Sequence, residues 1–167
     1  MASHFEDSLF DAVVCYGGPL SYLLDRAAEG VRELARVAKP GAPILLSVMS
    51  LWGTIHQFIG GVLQVDPVTN REIIATGDLL PEKGAGFQRC HLFRVGELRR
   101  LLEKEGLEIE RLSASNSLST GRAEILAEIG ETDPVWGHLM EMELEACRDP
   151  ACLGLGSHLI AVCRAPG

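Results

Sequence analysis

Basic residues are scarce in this sequence: 15 Lys and Arg stand against 23 Asp and Glu, for a formal net charge of −8. The Lys and Arg are scattered rather than clustered, which disfavours a nucleic-acid groove or an anionic membrane surface as partner and fits a small molecule better. Long hydrophobic runs are also missing. Ala42–Met49 is interrupted by Pro43 and Ser47 and is far too short to span a bilayer, so no membrane partner is expected. No positively charged leader precedes an apolar stretch at the N-terminus. Five cysteines make an odd set without a framework spacing, and Cys15 and Cys163 each lie inside an apolar run, as buried thiols do. No HExxH or paired CxxC occurs, and Cys147 with Cys152 is an unconvincing pair, so no metal is expected. Ser21 lacks the GxSxG elbow of a hydrolase. These absences describe a soluble, reduced, cytoplasmic protein.

What is present is a hydrophobic share of 47%, enough for a real core in a one-domain length of 167 residues. Phe10–Tyr16 is a short apolar run ended by Gly17-Gly18-Pro19 and reads as a buried strand. Leu20, Leu24, Ala27, Ala28, Val31, Leu34, Ala35 and Ala38 recur at three- and four-residue steps, one apolar stripe on a helix. Lys39-Pro40-Gly41 stops it, and Ile44–Met49 is a second buried strand. Strand, helix and strand in this spacing make a parallel βαβ unit, so the fold class is α/β.

From Ser50 to Arg94 regularity falls. Leu51–Ile59 reads as an amphipathic helix, Asp66-Pro67 opens another through Thr76, and a glycine-rich loop around Gly84 and Gly86 follows. A helix over Val95–Leu102 closes at Gly106, and Leu107–Leu112 reads as a strand. Two further helices are expected near 122–131 and 134–147, the second capped by Asp133, with Glu141, Glu143 and Glu145 as a solvated face. Ser157–Cys163 is the last strand, where His158 is expected to face neighbouring strands. The chain reads as one domain over 1–167, with 50–94 and 113–156 as substrate-side or lid insertions.

Three pieces in order now carry a resemblance. Phe10-Asp-Ala-Val-Val-Cys15, then Glu33-Leu-Ala-Arg-Val-Ala-Lys-Pro-Gly41, then Ile44-Leu-Leu-Ser-Val48 resemble strand four, its helix and strand five of class I, Rossmann-like S-adenosylmethionine-dependent methyltransferases. Ala42 stands where that family often has a second glycine. His91-Leu-Phe-Arg-Val-Gly-Glu97-Leu through Leu107 resembles the helix that follows, and Ser157–Cys163 the final antiparallel strand. The resemblance implies a partial sheet with strands like four to seven of the family order 3-2-1-4-5-7-6, and S-adenosylmethionine as cofactor at the carboxyl ends of the strands.

By position the resemblance makes Cys15, Tyr16, Gly17, Gly18 and Leu20 cofactor-binding, although a tight strand-to-helix turn would need the glycines as well. A general base is optional in methyl transfer. His56 and His91 are the candidates, with a surface or packing role as the plain alternative for each. Trp52, Phe58, Phe87, Arg89 and Phe93 would wall a substrate pocket. No GxGxG turn follows a strand near the start, since Gly154-Leu-Gly156 precedes one. The expectation is therefore a methyltransferase for a small molecule that lacks its cofactor-binding motif in this chain. Its first strand would be an exposed sheet edge that recruits a homodimer partner or a complementing N-terminal half. The alternative is a catalytically inactive module that oligomerises through the same edge.

Overall fold

The computed structural model describes residues 5–83, 88–130 and 132–167, so the loop at Gly84 and Gly86, and Phe87 with it, lie outside the described residues. In chain order the strands and helices are β1 Val13–Cys15, α1 Ala27–Val37, β2 Pro43–Met49, α2 Leu51–Gln57, α3 Ile59–Val62, α4 Pro67–Thr76, β3 Asp78–Leu79, β4 Cys90–His91, α5 Val95–Lys104, β5 Glu108–Ser115, α6 Ala123–Leu126, α7 Pro134–Ala146 and β6 His158–Arg164. Four strands form one sheet in the order β1-β2-β6-β5; β1 and β2 are parallel, and β6 runs antiparallel to both its neighbours. β3 and β4 pair as a separate two-stranded hairpin. The order matches 4-5-7-6 of the expected topology, and the fold is α/β.

Register decides which side chains meet. Val13 opposes Ile44, and Ile44 opposes Cys163; Leu46 opposes Ala161, and Val48 opposes Leu159. That face is sealed by α1 and α5, whose Val31, Leu98 and Leu102 join Ile44, Leu46 and Val48 in the core at no measurable exposure. Each such side chain contributes about 1.5–3 kcal/mol of transfer free energy. The opposite face carries Val14, Leu45, Ile160 and Val162. Here burial is incomplete: Val14 is 64% exposed and the other three are half-buried. Ile44–Met49 is thus covered fully on one side only. Phe10–Tyr16, expected as a buried strand, narrows to the three residues of β1 plus a bridge from Phe10 to Ala38, and it sits at the sheet edge among the described residues.

Three helices depart from the periodicity. The stripe from Leu20 to Ala38 breaks: Pro19–Arg26 is 3-10, and α1 starts only at Ala27. Leu24 there takes φ 51° and ψ −122°. The fold-back packs Leu20 and Leu23 onto Gly30, where their Cδ atoms occupy the place a Cβ would take, at 2.7 and 2.6 Å. The helix expected over Leu51–Ile59 divides at Phe58 into α2 and α3. Finally, the helix expected over 122–131 shrinks to α6, because Ile125 is 62% exposed and no buried stripe supports a longer one.

Glu143 corrects the expected solvated face. Glu141 and Glu145 are exposed, but Glu143 is 7% exposed and turns inward. Its Oε1 accepts from the backbone N–H of Ser117 and, at 2.9 Å, of Leu118, while Oε2 accepts from Ser119 N–H at 2.8 Å. The helix then ends on the sheet, where Cys147 O accepts from Ala114 N–H at 2.8 Å. The β5 edge is so covered in part, whereas β1 has no such cover among the described residues. No helix among the described residues is long and apolar enough to cross a membrane.

Candidate functional site

The strongest local signal is the turn after β1. Gly17 and Gly18 take φ 86° and 75°, left-handed values that only glycine adopts without strain. Gly17 N–H donates to Ser47 Oγ at 3.0 Å, and Met49 N–H donates to Ser21 Oγ at 2.9 Å. Two buried serines therefore hold the turn against the carboxyl end of β2. A Cβ on Gly17 would meet nothing within 4 Å, so that side of the turn is open. Ligands of open α/β sheets sit at this end of the strands.

His158 completes the cluster, although the sequence suggested for it only a place facing neighbouring strands. Because β6 is antiparallel, its first residue opposes Met49 at the end of β2. Nε2 of the ring lies 3.5 Å from where a Cβ of Gly18 would stand, and Nδ1 is 3.3 Å from Ser157 Oγ. Burial pushes the imidazole pKa below its ordinary 6.5, so the ring is neutral at pH 7. The one available signal was the reversed direction of the last strand, which carries the start of Ser157–Cys163 to the carboxyl ends of the parallel pair.

The other residues expected in the site divide. Cys15 is half-buried, and burial raises its thiol pKa. Tyr16 is 48% exposed beside the open turn, whereas Leu20, at 2%, is a core residue behind it. His56 is half-buried with Nδ1 enclosed and without a hydrogen-bond partner. Trp52 is exposed under the Arg94 guanidinium, 5.6 Å from its ring centroid, and Phe58 is exposed. Arg89 pairs with Glu82 on the surface.

His91 and Phe93 do meet, edge to face with ring centroids 4.6 Å apart, Phe93 being buried in the core. Nδ1 of His91 lies 2.7 Å from Asp78 Oδ1, and Nε2 lies 2.7 Å from Glu97 Oε1. Glu97 Oε2 in turn accepts from Arg94 N–H at 3.3 Å, so the hairpin β3–β4 is fastened to the first turn of α5. Among the described residues no group of His, Cys, Asp and Glu is arranged to hold a metal ion.

No protein-family model matches the sequence, and no curated protein matches it. Solved structures do. The chain is similar to an S-adenosylmethionine-dependent methyltransferase from Methanosarcina mazei, at 20% identity and TM-score 0.55 over 99% of this chain and 63% of that one. A second is the S-adenosylmethionine-dependent methyltransferase from Mesorhizobium loti, at 18% identity and TM-score 0.55 over 97% of this chain and 64% of that one. A third comes from the complex between the Haloferax volcanii Trm112 methyltransferase activator and a methyltransferase, at 15% identity and TM-score 0.53 over 99% and 57%. The chain therefore spans less than two thirds of the length of these proteins. Strand order, the reversed last strand and these likenesses agree: this chain has the class I, Rossmann-like fold of S-adenosylmethionine-dependent methyltransferases.

Proposed function

We propose that this chain is the acceptor-side part of an S-adenosylmethionine-dependent methyltransferase for a small-molecule substrate. In this reading a complementing N-terminal half, or a second copy of the chain, completes it. The observation that carries the reading is the Gly17-Gly18 turn, open on one side and held by Ser47 and Ser21 at the carboxyl ends of a β1-β2-β6-β5 sheet. When bound, S-adenosylmethionine would supply an electrophilic methyl group.

The residues present suit one flank of that molecule. Gly17 and Gly18 let backbone approach it closely, with Cys15 and Tyr16 beside them and Leu20 fixing the turn from the core. Its ribose hydroxyls would call for a carboxylate, and no residue from Cys15 to Ser21 or from Met49 to Gly53 is acidic. Weak binding by the chain alone is therefore expected. His158, neutral at pH 7, is placed to take a proton from an acceptor N–H or O–H at Nε2, ahead of His56 and of His91, whose ring is held between two carboxylates. The segments 50–94 and 113–156 then serve as the substrate side of the site.

Calorimetric titration with S-adenosylhomocysteine, repeated by nuclear magnetic resonance, tests this. Weak binding whose shifts centre on Gly17, Gly18 and the His158 ring is expected. Tight binding by the isolated chain would remove the need for a completing segment. Shifts centred elsewhere would remove the site.

A further inference from the structure

His158 reaches the glycine turn with Nε2, and the residue before it touches the other ring nitrogen. Ser157 Oγ lies 3.3 Å from His158 Nδ1, and both residues are half-buried. The backbone that carries them is pinned on each side. Ser157 O accepts from Ser50 N–H at 3.0 Å, and a Cβ on Gly156 would lie 2.7 Å from Ala114 Cβ and from Ser115 O. His158 pairs with Met49 of β2 and with Ser115 of β5. Strand pairing therefore sets where ring and hydroxyl stand.

A neutral imidazole carries one N–H, and the bond made at one nitrogen decides which nitrogen holds it. Two arrangements fit a hydroxyl at Nδ1. If the hydroxyl donates, the ring hydrogen sits on Nε2, which then has no lone pair to offer. If the hydroxyl accepts, Nδ1 carries the hydrogen and Nε2 is bare. The surroundings of Nε2 favour the second. A Cβ on Gly18 would lie 3.5 Å from Nε2 and 3.4 Å from Met49 Cγ, so carbon borders this side of the ring. Among the described residues the contact with Ser157 is the ring's one hydrogen bond, and an N–H at Nε2 would have no acceptor. Burial lowers the ring's pKa and no ion pair holds it among the described residues, so the neutral form is the one to be placed.

We propose that Ser157 is a positioning residue: its hydroxyl accepts from His158 Nδ1–H, fixes that tautomer and leaves a bare Nε2 beside Gly18. The hydroxyl keeps its own hydrogen for solvent in a hollow of about 230 Å³, which Ser157 lines with the exposed Gln57 and Asn116. A proton taken at Nε2 gives an imidazolium whose bond from Nδ1–H to Oγ becomes charge-assisted, so Ser157 supports the ring in both states. The use of this lone pair by a methyl acceptor rests on the methyl-transfer reading; the tautomer does not.

Long-range proton–nitrogen correlation spectra of the full chain read the tautomer directly. They are recorded without ligand, so their outcome and that of the S-adenosylhomocysteine titration are separate. The chain has five histidines, and the signals lost in His158→Gln assign the ring. Above its titration midpoint the wild-type ring should show Nδ1 protonated and Nε2 bare. Ser157→Thr keeps a hydroxyl and should keep that pattern, whereas Ser157→Ala should move the hydrogen to Nε2, the form an unconstrained neutral ring prefers. The midpoint supplies a second sign. Losing an acceptor at Nδ1–H disfavours the charged ring, so Ser157→Ala should lower the midpoint further, while losing a donor would raise it. A wild-type ring protonated at Nε2 would overturn the proposal, as would a Ser157→Ala ring that keeps Nδ1–H or titrates higher. The wild-type spectrum decides even where the alanine variant does not fold.

Discussion

Glu143 shows how much one carboxylate can organise. Burial disfavours its ionised form, yet hydrogen bonds from Ser119, from the Leu118 backbone and from the Cys147 thiol together outweigh that cost and leave its pKa below the ordinary 4.5. The unfolded chain therefore binds this proton more readily than the folded one. The resulting stability is present above about pH 4.5 and is lost as pH falls through the lower folded value. Glu143→Gln should cost about 1–3 kcal/mol in urea unfolding at pH 7. The gap to wild type should close progressively below pH 4.5. A gap constant with pH would mean that shape, not charge, holds the loop at Ser117–Ser119.

At the scale of elements, close backbone approach decides where glycine is required. A Cβ on Gly53 in α2 would lie 1.7 Å from Gly156 O, so the helix touches the chain just before β6 with no room for a side chain. Gly137 in α7 has nothing within 4 Å of its missing Cβ. Gly53→Ala should destabilise by about 1–3 kcal/mol, as overpacking does. Gly137→Ala should stabilise by about 0.5–1 kcal/mol, since alanine favours a helix interior. Denaturant midpoints of the two variants should move in opposite directions; movement in the same direction would contradict the contact of α2 with Gly156.

The whole molecule presents an asymmetric sheet. One face is sealed by α1 and α5, while the other leaves Val14, Leu45, Ile160 and Val162 partly in water next to the β1 edge, which pairs with no further strand among the described residues. Exposed apolar surface of this kind, beside unpaired backbone, recruits a partner. Light scattering of the purified chain should give a mass above that of one copy, and Val14→Asp should lower it. A monodisperse single copy at working concentration, unchanged by the substitution, would count against association through this face.

Much of this architecture was legible beforehand because strand, helix and loop signals are local. Apolar runs ended by Gly17-Gly18 and by Lys39-Pro40-Gly41 delimit β1, α1 and β2, and Asp66-Pro67 and Asp133-Pro134 cap α4 and α7 with their own side chains. The same periodicity missed the break at Leu24 and the inward turn of Glu143. The first depends on Leu20 and Leu23 finding space over Gly30, the second on three amides of a distant loop converging on one carboxylate. The candidate site was half legible. Its glycine turn is a property of neighbouring residues, but Ser47, Met49 and His158 reach it only through strand pairing. The amino-acid sequence by itself thus determined the order of the main strands and helices, the caps of α4 and α7 and the α/β class, since propensity, capping and turn chemistry act within a few residues. Tertiary structure alone decided which side chains share a site, because register and strand direction bring together groups more than a hundred residues apart, as they do for Gly18 and His158.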